Sequence, residues 1–451
     1  MAGISFDGMA SGLDTTALIN ALISVERVPV TMMENKLKEN EIRIDGLRSL
    51  NTQIAALATA AKEASDPAAF RPATGTSSSA DVTVTVADGA TPATLDFTVD
   101  SVAAKHVGVS APLGGWAGGD LTITGADGTS TAFTGDSLSS LVNSINADPE
   151  LGVNATLVRA GNDPEGAPLY RLQLASRESG ADSAFTATGP DDTDLFANGG
   201  ALTSTASDAK ITLFPGTDAE QEVTSETNEF ADLATGVSVT VTTAAVGQTV
   251  TAAAANDPKA AAERAEKLLN QINKLLDSIG SVTTVTPGAG SSGSTVKAGM
   301  FVGDSTVRSI NQRVFDAAVR TDDGTSQAWF GVEPDQYGRL SIDTAKLTEA
   351  LTNDPAAVGQ ALASLASRVE SVATNISDKY DGVLTKSIES RVTENGRTQG
   401  GIDSAERRLE MREATLRKQF VAMEVAIQKA NSLQSYLSSQ LATNLAGANQ
   451  N

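Results

Sequence analysis

Residues 402 to 445, beginning IDSAERRLEMREATLRKQFVAMEVAIQKANSLQSYLSSQL, carry the most restrictive pattern in the chain. Leu409, Leu416, Phe420, Met423, Ile427, Ala430, Leu437 and Leu441 fall on the a and d positions of one heptad frame, with charged or polar residues over most other positions. Asp403 and Glu406, just after Gly400 and Gly401, form a capping-box-like start, so the spacing predicts a helix beginning where the glycines end. At 1.5 Å per residue such a helix is roughly 65 Å long, about twice the diameter of a small domain, and has to project from any compact body. A narrow apolar stripe gains its stability from a partner. Burying about eight such side chains contributes on the order of 10 to 20 kcal/mol as an upper bound.

The opposite end of the chain offers that partner. Leu13, Asp14 and Leu18 match a hydrophobic staple around an aspartate cap, after a Gly- and Ser-rich opening over residues 1 to 12. Leu18, Leu22 and Val25 keep helical spacing until Pro29, whose ring ends or kinks the helix. Met33, Leu37, Ile44, Leu47, Leu50, Ile54, Leu57 and Ala61 then define a second amphipathic helix. The expected pairing sets Leu416, Phe420, Met423 and Ile427 against Leu50, Ile54 and Leu57 of this chain or a second copy, or against helices of a partner, with Gly400 and Gly401 as a hinge.

Between the ends the periodicity changes. Val82, Val84 and Val86 alternate, as do Leu95, Phe97 and Val99, Leu121 and Ile123, Tyr170, Leu172 and Leu174, and Val237, Val239 and Val241, which reads as half-buried strands. Leu138, Leu141, Val142 and Ile145 interrupt them with one short helix. From Asp257 and Pro258 helical text returns, with Leu268, Leu269, Ile272, Leu275 and Leu276 on one face. TPGAGSSGST, residues 286 to 295, is loop-forming. Beyond it Val307, Ile310 and Val314, then Leu347, Leu351, Val358, Leu362 and Leu365, are helical, with a short strand from Arg339 to Ile342. The fold class is therefore α+β and multidomain.

The formal charge of −22 sets an acidic chain against nucleic acid and anionic membrane as main partners. Residues 71 to 255 hold 6 basic against 23 acidic side chains, and so carry −17 of the total. With no cysteine there is no disulfide, thiolate metal site or thiol nucleophile. No apolar run approaches 18 residues, so no membrane insertion is expected, and the N-terminus lacks the basic leader and apolar core of a cleaved signal peptide.

Few residues point to covalent chemistry. His106, the only histidine, has no cysteine or second histidine to complete a catalytic or metal set and reads as a surface or strand-edge side chain. Asp191, Asp192 and Asp194 with Asn198 miss the spacing of a calcium-binding loop and read as a solvated acidic loop. Glycines 114, 115, 118 and 119 lack the Gly-Lys-Ser/Thr of a phosphate loop, and Asp163 with Glu165 is an ordinary loop pair. Trp329, beside Phe330, reads as core, and Trp116, among glycines, as the better candidate for a contact surface. No catalytic residue, cofactor or metal site is expected.

MASGLDTTALINALISVERVPV near the start and RRLEMREATLRKQFVAMEVAIQKANSLQSYLSSQL near the end resemble the terminal regions of the bacterial flagellar filament cap family, hook-associated protein 2. GDLTITG, SLSSLVNSIN, GVNATLV and YRLQLAS are similar to a motif of flagellin-type surface domains, and YGRLSIDTAKLTEALTNDPAAV resembles the family's inner domain. The resemblance implies an N-terminal stalk segment at 1–40, an inner helical domain at 41–70 and 256–400, and a C-terminal stalk helix at 401–451. The inserted β head comprises residues 71–110 and 191–255, with an outer β domain at 111–190. It further implies a non-enzymatic ring at the filament tip that promotes folding and insertion of exported flagellin. Implied partners are further copies of the chain, flagellin, hook-filament junction proteins, an export chaperone and, through the head, a host or surface receptor. The implied location is extracellular, at the flagellum tip, reached without a cleaved signal peptide. Leu47, Leu50, Ile54, Leu57, Leu409, Leu416, Phe420, Met423, Ile427, Leu437 and Leu441 are the expected self-association or filament-binding residues, and Pro29, Gly400 and Gly401 the expected hinges. An adhesin or carbohydrate-binding module, a flagellin or junction protein, and a secreted enzyme are the competing classes.

Overall fold

The computed structural model describes residues 12–116, 118–287, 296–321, 324 and 326–448. The Gly-Ser opening at 1–11 and the loop at 288–295 lie outside the described residues; Thr286 and Pro287, assigned to that loop above, belong to strand Val285–Pro287.

Eight helices are described: α1 (Thr15–Glu26), α2 (Val28–Glu63), α3 (Leu138–Ala147), α4 (Pro258–Thr283), α5 (Ser305–Val319), α6 (Thr344–Asn353), α7 (Pro355–Ser377) and α8 (Val383–Ala448). Aspartate sets most of their starts. Asp14, Asp257, Asp304, Asp343 and Asp354 each accept a backbone N–H of the first turn, satisfying donors that have no partner within the helix. Prolines at 258 and 355 stand in the first turn, where the missing N–H costs nothing.

One apolar core unites Leu47, Leu50, Ile54 and Leu57 of α2 with Leu269 and Ile272 of α4, Ile310 and Val314 of α5, Leu347 of α6, Val358, Leu362, Leu365 and Val369 of α7, and Leu384 of α8. The β block holds two further cores. The first lies between an antiparallel sheet in the spatial order Ala73–Ser77, Thr249–Asn256, Ala93–Ser101, Ala209–Leu213, Gln221–Ser225 and a three-stranded sheet of Glu229–Ala234, Val237–Val241 and Val82–Val86. Phe97, Val99, Phe230, Val239 and Val250 fill it. The second core packs Leu121, Ile123, Leu141, Ile145, Leu172, Leu174 and Phe185 beneath α3. Its four-stranded sheet runs Ala201–Ser204, Val107–Val109, Pro168–Ser176, Val153–Asn162, so it draws strands from both sides of residues 111–190. Asn146 ties α3 down by bonding both the N–H and the C=O of Ala155, at 2.8 and 2.9 Å.

The structure corrects three expectations. The last helix does not begin at Asp403: α8 starts at Val383 and runs through Gly396, Gly400 and Gly401. Each interior glycine costs about 1 kcal/mol relative to alanine, but Leu384 and Ile402 anchor α8 to apolar clusters on both sides of the glycines. His106 is buried rather than exposed, with its ring centroid 4.7 Å from that of Phe185. Finally, Trp329 is 44% exposed, whereas Trp116 packs partly buried against the second β core and donates to the Gly119 carbonyl at 3.1 Å.

Candidate assembly interface

α2 and α8 run antiparallel, and α1 continues along α8. Polar contacts fix the alignment: Glu26 faces Arg412 at 3.4 Å, Arg27 faces Glu406 at 3.0 Å, and Lys36 faces Glu394 at 2.9 Å. The lysine ammonium donates to Glu394 and holds its carboxyl below the usual range. Between these pairs Val30, Ile402 and Ala405 are buried, with Met33, Leu37 and Leu409 packed around them. Farther out, Ile19 of α1 and Leu416 of α8 are buried.

A polar joint separates this seam from the inner helical core. Asn40 Nδ2 donates to Asn395 Oδ1 at 2.6 Å and to the Arg391 carbonyl at 3.2 Å. The Arg391 guanidinium returns a bond to Asn40 Oδ1 at 3.1 Å and reaches Asp304 Oδ2 at 2.9 Å. Asp304 Oδ1 meanwhile caps α5. One network therefore pins α2, α8 and α5 together, and a buried asparagine at such a position selects one register over its neighbours.

The expected interface residues divide into three groups. Leu47, Leu50, Ile54 and Leu57 are spent in the inner core, so they are not the partners of Leu416, Phe420, Met423 and Ile427; the seam of α8 meets α1 and residues 30–37 instead. Leu409 and Leu416 pack within the chain, and Phe420, Met423 and Ile427 are half-buried. Leu437 and Leu441 are exposed, at 53% and 63%. Pro29 stands in the first turn of α2, where α1 gives way to it.

A second apolar stripe, on α8, escaped the sequence reading. Met411, Val421, Val425 and Leu433 of α8 are exposed, and so are Leu18, Leu22, Val25 and Met32 on the other helices. The intervals of 4, 3 and 7 residues along α1 and α2 were visible as an apolar face. The buried α1 positions are nevertheless Thr15 and Ile19. Apolar stripes of this extent on projecting helices mark an association surface.

No helix is long and apolar enough to cross a membrane, among the described residues. The model of the flagellar hook-associated protein 2 C-terminus matches residues 206–432, and that of the N-terminus matches residues 11–106. Flagellar hook-associated protein 2 of Escherichia coli K12 is 24% identical over 500 aligned positions, covering 98% of this chain and 99% of the relative. The A-type flagellar hook-associated protein 2 of Pseudomonas aeruginosa is 25% identical, covering 95% of each. The crystal structure of the D1-D2-D3 domains of the E. coli flagellar cap protein FliD superposes with a TM-score of 0.63 at 21% identity, covering 77% of this chain and 99% of that one.

Proposed function

Because the chain belongs to the flagellar hook-associated protein 2 family, whose members are structural rather than enzymatic, we propose that it caps the flagellar filament as a ring of identical subunits. At the tip it promotes folding and insertion of exported flagellin, and filament elongation and motility depend on it. The observation that carries this reading is the stalk. Two antiparallel helices satisfy one another along Val30, Ile402 and Ala405, yet leave Leu437 and Leu441 and the stripe from Met411 to Leu433 open. A contiguous exposed apolar surface on a projecting element is the kind of surface that partners cover.

On this reading residues 1–40 and 401–451 are the stalk, 41–70 with 256–400 the inner domain, and 71–255 the head. Phe420, Met423, Ile427, Leu437 and Leu441 meet flagellin or a neighbouring subunit, while Leu47, Leu50, Ile54 and Leu57 hold the body on which the stalk stands. Hook-filament junction proteins, an export chaperone and a receptor for the head complete the partners. The place of action is outside the cell, at the filament tip. The test is a strain carrying Phe420→Asp and Ile427→Asp. It is expected to leak monomeric flagellin and build no filaments, while the purified variant keeps the hydrogen-exchange protection of residues 71–255. Filaments of normal length from that strain overturn the proposal.

A further inference from the structure

An open cleft of ≈ 440 Å³ lies away from the seam of α8, between α5 and α7. Arg313 stands on α5 and Arg320 caps its C-terminus seven residues on, and Arg368 enters from α7. The floor includes buried Ala317 and half-buried Val372, with Ser367 and Ser371 on the rim. Among the described residues one acidic side chain, Asp316, lines it, and its carboxylate already accepts from Gln312 at 2.8 Å. Arg368 Nε donates to the Ala317 carbonyl at 3.2 Å, which fixes α7 against the end of α5. The Arg313 and Arg320 side chains make no ion pair or hydrogen bond with the described residues.

Those two open guanidinium groups stand against the charge of the chain. With 55 acidic and 33 basic side chains, carboxylates are in excess, and Arg27, Arg264, Arg339, Arg391, Arg412 and Arg417 are each paired with one. Guanidinium forks beside an apolar floor suit a carboxylate-bearing segment with an aliphatic stem, because the planar donors bind both oxygens of one carboxylate.

We infer that this cleft receives an acidic segment of residues 71–255 from a second copy of the chain. This rests on the ring reading above and names the contact that closes the ring. Charge complementarity selects the occupant: the head carries −17, and the cleft lies on a different part of the chain. A contact between unlike surfaces leaves each subunit with one free cleft and one free acidic face, so it propagates around a closed ring rather than stopping at a two-fold dimer.

The test is sedimentation velocity of the full chain at 50 and 500 mM NaCl. Wild type is expected to associate at low salt and to weaken at least tenfold at high salt. R313E/R320E is expected to lose at least tenfold in association at 50 mM with little remaining salt dependence, while its melting temperature stays within a few degrees. R313K/R320K keeps the charge and is expected to retain association. Zero-length carbodiimide coupling of that lysine variant, mixed with isotope-labelled chains, is expected to join positions 313 or 320 to carboxylates of residues 71–255 in the other copy. Unchanged association of R313E/R320E overturns the inference and leaves the ring reading standing. So do couplings confined to one chain or to carboxylates outside the head, which would assign the cleft another occupant. A wild type that stays monomeric at 100 µM removes both.

Discussion

Asn40 and Asn395 meet side chain to side chain at 2.6 Å, at the level where the stalk ends and the inner helical core begins. Asn40 is buried, so either amide without the other leaves a polar group short of a partner. Asn40→Ala and Asn395→Ala are each expected to destabilise the chain by about 1 to 3 kcal/mol, and the double variant by less than their sum. A thermal-denaturation double-mutant cycle measures the coupling, and strict additivity rules out the joint as a unit.

Ile402 is the most confined α8 side chain of the stalk seam. Truncation to alanine costs about 2 to 5 kcal/mol where a cavity remains, and here the loss is confined to a small cluster. Hydrogen exchange in α1, residues 28–39 and residues 396–416 is expected to accelerate, with Leu269, Ile272 and Leu365 keeping their protection. Uniform acceleration across both regions means that stalk and inner core unfold as one.

Gly400 and Gly401 lie inside a continuous helix, and a methyl group at 400 meets nothing within 4 Å, while one at 401 comes no nearer than 3.6 Å to Met33 Sδ. Packing therefore gives no reason for glycine. Gly400→Ala with Gly401→Ala is expected to raise stability by about 1 to 2 kcal/mol through helix propensity alone. If the pair bends during assembly, swimming speed falls as the melting temperature rises. Full motility with the higher melting temperature eliminates the hinge.

His106 is buried against Phe185, its Nδ1 accepts from the Ala206 N–H at 3.3 Å, and its Nε2 has no partner. Burial holds the imidazole below the ordinary value of 6.5. Below that value the unfolded chain binds a proton that the folded chain resists, so stability falls with decreasing pH until the folded-state value is passed. As the only histidine, it gives a single imidazole Hε1 resonance, expected to titrate below 6.5 in the native state. The H106F variant is expected to lose the part of the pH dependence of melting between neutral and mildly acidic conditions that this group supplies. A midpoint at or above the ordinary value excludes the buried neutral form.

Periodicity made most of the architecture legible: the alternating valines of the β block and the 3- and 4-residue spacing around Leu268 and Leu362 became strands and helices where expected. What it left open was partnership. A stripe such as Leu416 to Ile427 states that one face seeks cover, but Leu50, Ile54 and Leu57 and Val30, Met33 and Leu37 offer equally good covers. The decision came from α4 to α7, which surround the former set, while Val30, Met33 and Leu37 pack on Ile402, Ala405 and Leu409 and leave Phe420 to Ile427 half-buried. The start of α8 was misread because a local cue, two glycines before an aspartate, was overridden by anchoring on both sides. Trp116 and Trp329 exchanged roles because exposure of an aromatic depends on which sheet or helix lies over it. The cleft at Arg313 and Arg320 was silent because its third arginine is 48 positions farther along the chain.

Ala73 pairs with Asn256 and Ser77 with Ala252, so the polypeptide leaves for the β block and returns from it at neighbouring strands. Everything between is a detour with a single doorway, and the helices on either side are complementary halves of one body. A chain delivered N-terminus first therefore presents Leu47, Leu50 and Ile54 long before α4, α7 and the start of α8 arrive to cover them. The β block can condense while the flanking halves wait. The α8 segment from Glu394 to Leu416 closes against α1 and the start of α2 only after the helices of the inner core have been delivered, so the first helices of the chain are the last to find their cover.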